Sequence, residues 1–297
     1  MLNIFNYLKR PEYVFRPRQV FKRLGRMGQP TPTIARVTLP WGASVRVRPK
    51  ENVGGEIFYY GIFDRMVPET ICRLADAGEL ALEAGANIGQ NCSLMAYCTG
   101  RGGRVIAFEP HPEIFAELKS NFDEWPDYIR KNIQLENVAL GDEVGEAWLA
   151  ESSEFETNRG SATIAGEPAA ATRKHKVSVQ KLDEYLPASA NVGVFKIDVE
   201  GHELAVLKGT VGALQRRAVR DIIFEDFAPK PSPVTEFLKQ HGFTVFELHE
   251  SWLRPRLTPL DSAQAGHRGH SNYLATLDPK RALKRFRALG WKCLWYL

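Results

Sequence analysis

From Leu80 onward the sequence alternates short apolar runs with stretches of helical spacing, and this rhythm restricts the fold more than any other feature. Leu80–Ala84, Arg104–Phe108, Ile133–Val138, Val192–Ile197, Val219–Phe224, Phe243–Leu248 and Ser271–Thr276 read as strands. Gly89–Cys98, Pro112–Trp125, His202–Arg216 and Val234–Gln240 read as helices between them. Strands that are apolar throughout, joined by helices, form a mostly parallel sheet covered on both faces. The class is therefore α/β. Upstream, residues 67–77 have helical spacing. Thr33–Leu39 and Ala43–Val47 flank Pro40-Trp41-Gly42 and predict an N-terminal hairpin. The stretch 141–180 breaks the rhythm. It is rich in Gly, Ala, Ser, Thr and Glu, with strand-like pieces at Glu146–Leu149 and Lys176–Val179, and reads as an inserted hairpin. Three segments result: a basic arm at 1–30, the main domain at 31–279, and a basic aromatic tail at 280–297.

The chain has 297 residues, 44% of them hydrophobic and 25% charged, which excludes disorder and allows a large core. Four cysteines without a CxxC pair exclude a disulfide scaffold and zinc-ribbon spacing. Reduced thiols in a cytoplasm are the expectation. No run of 18 apolar residues suggests a membrane span, and MLNIFNYLKR, with its charges after the apolar residues, is not expected to be a secretory signal. The net charge of +4 is unevenly spread. Residues 1–26 and 280–297 carry +6 each, which leaves −8 between them. An acidic body argues against a nucleic-acid groove. The basic ends have two readings. In one they face water while Trp291, Trp295 and Tyr296 pack inward; in the other they hold the protein peripherally on an anionic inner membrane face.

The first strand runs into Glu83-Ala84-Gly85-Ala86-Asn87-Ile88-Gly89 and then a helix. In an open parallel sheet the ligand sits at such carboxyl ends. Glu109, at the end of the second strand, is placed to accept hydrogen bonds from a ribose diol. Asn87 stands where a dinucleotide fingerprint requires its second glycine, and a side chain there obstructs a pyrophosphate. The pattern favours a nucleoside cofactor without phosphates, S-adenosylmethionine over NAD.

EAGANIG at 83–89, AFEP at 107–110, NVALGD at 137–142, FKIDVEGHELAVLKG at 195–209 and IIFE at 222–225 resemble the FkbM family of S-adenosylmethionine-dependent methyltransferases. The matching segment covers roughly residues 60–276. Two departures are Glu83, where Asp is usual, and Asp64 in Gly61-Ile62-Phe63-Asp64, where Glu is usual. The resemblance implies a Rossmann-like, class I methyltransferase sheet of seven strands, mostly parallel with the last antiparallel, and methylation of hydroxyl groups, often on sugars or natural products. It implies that Glu83 reaches the cofactor, that Gly85, Asn87 and Gly89 line its methionine end, that Glu109 holds its ribose, and that Asn137 and its neighbours border its adenine.

Asp198, Glu200, His202 and Glu203 are expected to cluster where the fourth strand meets a helix. Methyl transfer to a hydroxyl needs the acceptor proton removed. An ordinary Asp has a pKa of about 4, whereas His202 at about 6.5 is better matched. The favoured assignment makes His202 the base and Asp198 its orienting partner. The alternative places Mg²⁺ or Mn²⁺ on Asp198, Glu225 and Asp226 to acidify the hydroxyl. Lys196 is expected to pair with Glu225. His175, His241, His249, His267 and His270 have no spacing that suggests a metal site, and His111, after Glu109-Pro110, reads as a helix-start residue rather than a catalyst. Three functions compete: an O-methyltransferase acting on a sugar in a glycolipid, polysaccharide or natural product; an N-methyltransferase acting on a protein or small amine; and a non-catalytic, membrane-associated binding protein.

Overall fold

The most apolar strand lies at the centre. All six residues of β10, Val192–Ile197, are buried, because both neighbours and both covering layers are present. A computed structural model describes residues 11–26, 28–152, 154–160, 162–165, 173–262 and 272–295. Residues 1–10, with Lys9 and Arg10, part of the 141–180 insertion, residues 263–271 and Tyr296 lie outside them. β3 (Leu80–Ala84) and β11 (Val219–Glu225) flank β10 in parallel. β4 (Arg104–Phe108) and β5 (Ile133–Glu136) extend the parallel side. β14 (Asn272–Thr276) inserts antiparallel between β11 and β12 (Thr244–His249). The antiparallel last strand is as expected. The sheet has eight strands, however, because β13 (Arg256–Pro259) adds an edge strand beside β12. Its polar, Pro-flanked sequence gives no strand signal.

The N-terminal hairpin forms between β1 (Ala35–Thr38) and β2 (Ser44–Val47), with Val37 opposite Val45. It packs on the sheet's covering helices. Trp41 Nε1 donates to Ser93 Oγ at 2.9 Å, and Trp125 Nε1 donates to Ser44 O at 2.9 Å. The insertion is more than a hairpin. β7 (Gly145–Ala150) pairs with β8 (Thr163–Ala165) and β9 (Lys174–Gln180), and β9 also pairs with β6 (Ala139–Leu140). The expected strand 133–138 stops at Glu136 as β5 of the main sheet, and β6, just beyond its expected end, starts the small sheet.

The described helices are α1 (Glu12–Phe15), α2 (Pro17–Arg26), α3 (Asn52–Tyr60), α4 (Met66–Leu74), α5 (Gln90–Thr99), α6 (Pro112–Asp123), α7 (Asp127–Arg130), α8 (Leu182–Tyr185), α9 (Glu203–Lys208), α10 (Val211–Gln215), α11 (Pro233–Gln240) and α12 (Pro279–Phe286). The single helix expected over 202–216 is two. A Cβ on Gly209 would lie 1.9 Å from Gly141 O, so the chain passes too closely there for a continuous helix with side chains. Asp183 then captures the restart, accepting from Gly212 N at 2.7 Å and Ala213 N at 2.8 Å.

The basic tail docks on the core. α12 stops at Phe286, and Trp291 is 0% exposed, with Nε1 donating to Ser251 O. Arg73, buried and paired with Glu69, donates to the carbonyls of Arg285, Ala288 and Gly290. Arg281 pairs with Asp221 and Asp76, and Arg285 with Asp76. Along the tail Phe286 is buried, while Leu289 is 74% exposed. Trp291 is thus removed from any membrane interface, and two of the tail's cations serve the fold. In the arm, Arg65 pairs with Glu12 at 2.8 Å and Gln19 donates to Tyr59 O. No helix among the described residues is long and apolar enough to cross a membrane.

Candidate active site

The carboxyl ends of β3, β4, β10 and β11 open into a cavity of about 260 Å³, lined by Gly85, Asn87, Glu109, Asp198, Glu200 and Glu225 among others. That is close to the lower end of small-molecule sites, roughly 300 Å³. A smaller cavity of about 50 Å³ shares Phe63, Asn87 and Asp198 with it and adds Asp64, Gln90 and Lys196.

The glycine turn is shaped by close approach. Gly85 has φ +80°, and a Cβ there would lie 1.9 Å from Asp198 O. β3 and β10 converge at that point, where Asp198 N donates to Ala84 O. Asn87 is also left-handed, φ +48°. Its N–H donates to Glu109 Oε2 at 2.8 Å, and its Oδ1 accepts from Ile88 N at 2.7 Å. Glu109 Oε1 accepts from His111 N at 2.9 Å. Each carboxylate oxygen thus takes one backbone N–H and keeps acceptor capacity for a diol. Burial pushes the Glu109 carboxyl up to about 7.

Three expected cofactor residues do other work. Gly89 does not line either cavity; a Cβ there would strike Leu118 Cδ1 and Trp125 at 2.6 Å, so this glycine admits α5 against α6 and Trp125. Glu83 is buried below the turn and pairs with Lys196 Nζ at 3.1 Å. Asn137 is exposed and uses Nδ2 to hold Glu109 O at 2.8 Å, while its neighbours Val138, Ala139 and Leu140 line the cavity.

The catalytic cluster is only partly assembled as expected. Lys196 pairs with Glu83 and, at 3.2 Å, with Asp198 rather than Glu225, and donates to Gly85 O. Burial works against the ammonium, but Asp198 and Glu83 outweigh it and raise its pKa. Asp198 lines both cavities. Glu200 stands on the larger cavity's wall in a left-handed conformation, φ +51°. Burial, then the charges of Asp198 and Glu203, push its carboxyl up to about 7.

His202, the expected base, lines neither cavity. It occupies the cap position of α9, with Nε2 against Gly141 and Asp142 as its charged neighbour. The left-handed turn at Glu200 and Gly201 sends the chain away from the cavity before His202. Glu203 is buried and folds back to accept from Gly201 N at 3.1 Å. Asp226 is held by Lys230 at 2.9 Å, Ala228 N and Ser232 Oγ. Among the described residues, Asp198, Glu225 and Asp226 do not converge as a three-ligand metal cluster.

Asn52, Val53, Asn158, Arg159 and Gly160 complete the cavity wall. Asn52 N donates to Thr157 O at 2.9 Å, joining α3 to the insertion. Arg159 pairs with Glu117 at 2.5 Å. These segments are distant in sequence, and no local motif marks them. Asp64 was visible only as part of Gly61–Asp64. It accepts from Asn272 Nδ2 at 2.7 Å and Met66 N at 3.2 Å, and burial raises its carboxyl to about 6.

The profile of the methyltransferase FkbM domain matches residues 83–245, from β3 into β12. The chain belongs to the FkbM methyltransferase family. Residues 83–245 are thus its FkbM methyltransferase domain. Hexuronic acid methyltransferase AglP of Haloferax volcanii is 32% identical over 177 residues, 56% of this chain. The aligned part spans 64% of that relative's length, under two thirds. Among solved structures, an S-adenosylmethionine-dependent O-methyltransferase of Thermotoga maritima has a TM-score of 0.42 at 12% identity, covering 86% of this chain and 96% of its own. Precorrin-6y C5,15-methyltransferase of Geobacter metallireducens has a TM-score of 0.39 at 17% identity, covering 71% and 87%. The family assignment rests on the sequence match.

Proposed function

We propose that this enzyme methylates a hydroxyl group of a sugar, with Glu200 as the base and Asp198 as the positioning carboxylate. The observation that carries the reading is the placement of the Glu200 carboxyl on the cavity wall beside Asp198, with a pKa near 7. A base poised near the working pH transfers protons most effectively. The relative named for methylating a hexuronic acid supports a sugar acceptor. The amides of Asn52 and Asn158 on the same wall suit hydroxyl groups.

When bound, the cofactor would supply a methyl carbon activated by its sulfonium, whose carbon–sulfur bond would break, its electron pair staying on sulfur, as the acceptor oxygen bonds to that carbon. Lys196 keeps Asp198 oriented through an ion pair at 3.2 Å. Glu200 accepts the proton that the hydroxyl loses as its oxygen forms the new bond to carbon. Positioning of the acceptor oxygen in line accounts for most of the remaining rate. Among the described residues, no third ligand converges with Asp198 and Glu225 to support a divalent metal there.

The test is a comparison of Glu200→Gln with His202→Ala. Glu200→Gln should lower kcat by about 10²–10⁴-fold, the usual contribution of a general base, and abolish the rise in kcat with pH through about 7. His202→Ala should stay within a few-fold of wild type. The reverse ranking would return the base to His202 and refute this assignment.

A further inference from the structure

His111, Glu151 and His175 are 40 and 24 residues apart in sequence, yet their polar atoms meet. His111 caps α6, Glu151 follows the last residue of β7, and His175 is the second residue of β9. His175 Nε2 lies 2.9 Å, and His111 Nε2 3.3 Å, from the same Glu151 Oε1. One ligand atom from each lies within 4.8 Å of the others. His111 and Glu151 are 1% and 5% exposed, and the His175 ring is largely covered. Among the described residues this is the one place where three such side chains converge.

We propose that these three side chains form a divalent-metal site of the zinc class. Two imidazoles and one carboxylate favour zinc over Mg²⁺, which prefers oxygen ligands. Zinc bonds of about 2.0–2.1 Å in a tetrahedron place neighbouring ligand atoms roughly 3.3 Å apart, close to the 2.9 and 3.3 Å that separate Glu151 Oε1 from the two rings. The site is separate from Asp198 and Glu225. It joins α6 to two strands of the insertion, and His111 also lines the larger cavity. Metal there would lock the four-stranded sheet against the cofactor end of the main sheet, leaving a fourth position for water.

The surroundings define the competition. Without metal, both rings give an Nε2–H to Glu151. Metal at His111 Nε2 moves that ring's proton to Nδ1, at the cost of a long contact with Ile114 N at 3.5 Å. His111 stacks on Phe155 at 4.8 Å between centroids, which fixes its plane. Arg173 Nε lies 3.8 Å from Glu151 Oε1 but is also bound by Glu113. It can neutralise Glu151 without occupying the space between the rings.

The test uses untagged, full-length protein. Elemental analysis should find about one zinc per chain. After stripping, titration with Co²⁺ alone should give the visible absorption of a tetrahedral centre at one equivalent. His175→Gln and Glu151→Gln, checked for folding by circular dichroism, should each weaken zinc binding by more than about tenfold. Folded wild-type protein that binds neither zinc nor Co²⁺ would reduce the triad to a hydrogen-bonded cluster and overturn the proposal. So would metal binding that survives both substitutions. If the variants do not fold, the wild-type titration decides alone.

Discussion

Replacing Glu109 with Gln tests the cofactor geometry through a side chain that the fold also uses. In the structure its two oxygens accept from Asn87 N at 2.8 Å and His111 N at 2.9 Å, and burial raises the carboxyl to about 7. Glu109→Ala would orphan two buried amides, at about 1–3 kcal/mol each, and would confuse folding with binding. Glu109→Gln keeps one acceptor oxygen and nearly the same volume, while removing the charge that a ribose diol would meet. Hydrogen bonds to a charged group contribute about 1.5–3 kcal/mol, so affinity should fall by roughly 10- to 160-fold. If the ionised carboxylate is the binding form, a pKa near 7 makes wild-type affinity about tenfold weaker at pH 6 than at pH 8. Titration calorimetry with S-adenosylhomocysteine at both pH values measures this. The Gln variant should lose that part of the slope. A wild-type affinity indifferent to pH, or a Gln variant binding as tightly as wild type, would refute the role of Glu109.

Three further outcomes follow from the packing. Gly85→Ala must place a Cβ 1.9 Å from Asp198 O in a left-handed conformation, and calorimetry should find no cofactor binding even where the variant folds. Arg73→Met strands buried Glu69 and three tail carbonyls, so it should cost about 3–5 kcal/mol and lower Tm by roughly 6–20 °C in scanning fluorimetry; an unchanged Tm would mean the tail is not part of the core. Burial raises the Asp64 and Glu109 carboxyls above their unfolded values, to about 6 and about 7. Between pH 5 and 7.5 these two acids therefore hold more protons in the folded than in the unfolded chain, so their contribution to the Tm of ligand-free protein falls across that window, by a few degrees; a Tm slope that Asp64→Asn leaves unchanged would contradict it.

The parallel sheet was legible because strands such as Val192–Ile197 are buried on both faces, so their apolar runs carry the signal without help from neighbours. The meeting of the glycine turn with Glu109 was legible because both stand at the carboxyl ends of neighbouring parallel strands. Other features were set by distant contacts. α9 and α10 separate because Gly141 passes Gly209 and Asp183 caps the restart, neither of which shows in the periodicity of 202–216. His202 was expected beside the cavity from its place where the fourth strand meets a helix, while left-handed Glu200 and Gly201 redirect the chain first. Glu200 was seen as one acid among several. Its distinction comes from burial beside Asp198, which spacing does not encode. The wall residues Asn52, Asn158 and Arg159 come from segments with no motif, joined by the hydrogen bond from Asn52 N to Thr157 O.

The central claim, transfer of a methyl group to a sugar hydroxyl, is tested most directly by following the label. Purified enzyme is incubated with methyl-deuterated S-adenosylmethionine and a panel of glycolipids, polysaccharide fragments, hexuronosides, and amine-bearing peptides and small molecules. Mass spectrometry and linkage analysis then locate the deuterated methyl. The account predicts label in an ether at a sugar hydroxyl, with transfer falling about 10²–10⁴-fold in Glu200→Gln. Label on nitrogen, or transfer to sugar that is unaffected by Glu200→Gln, would contradict it.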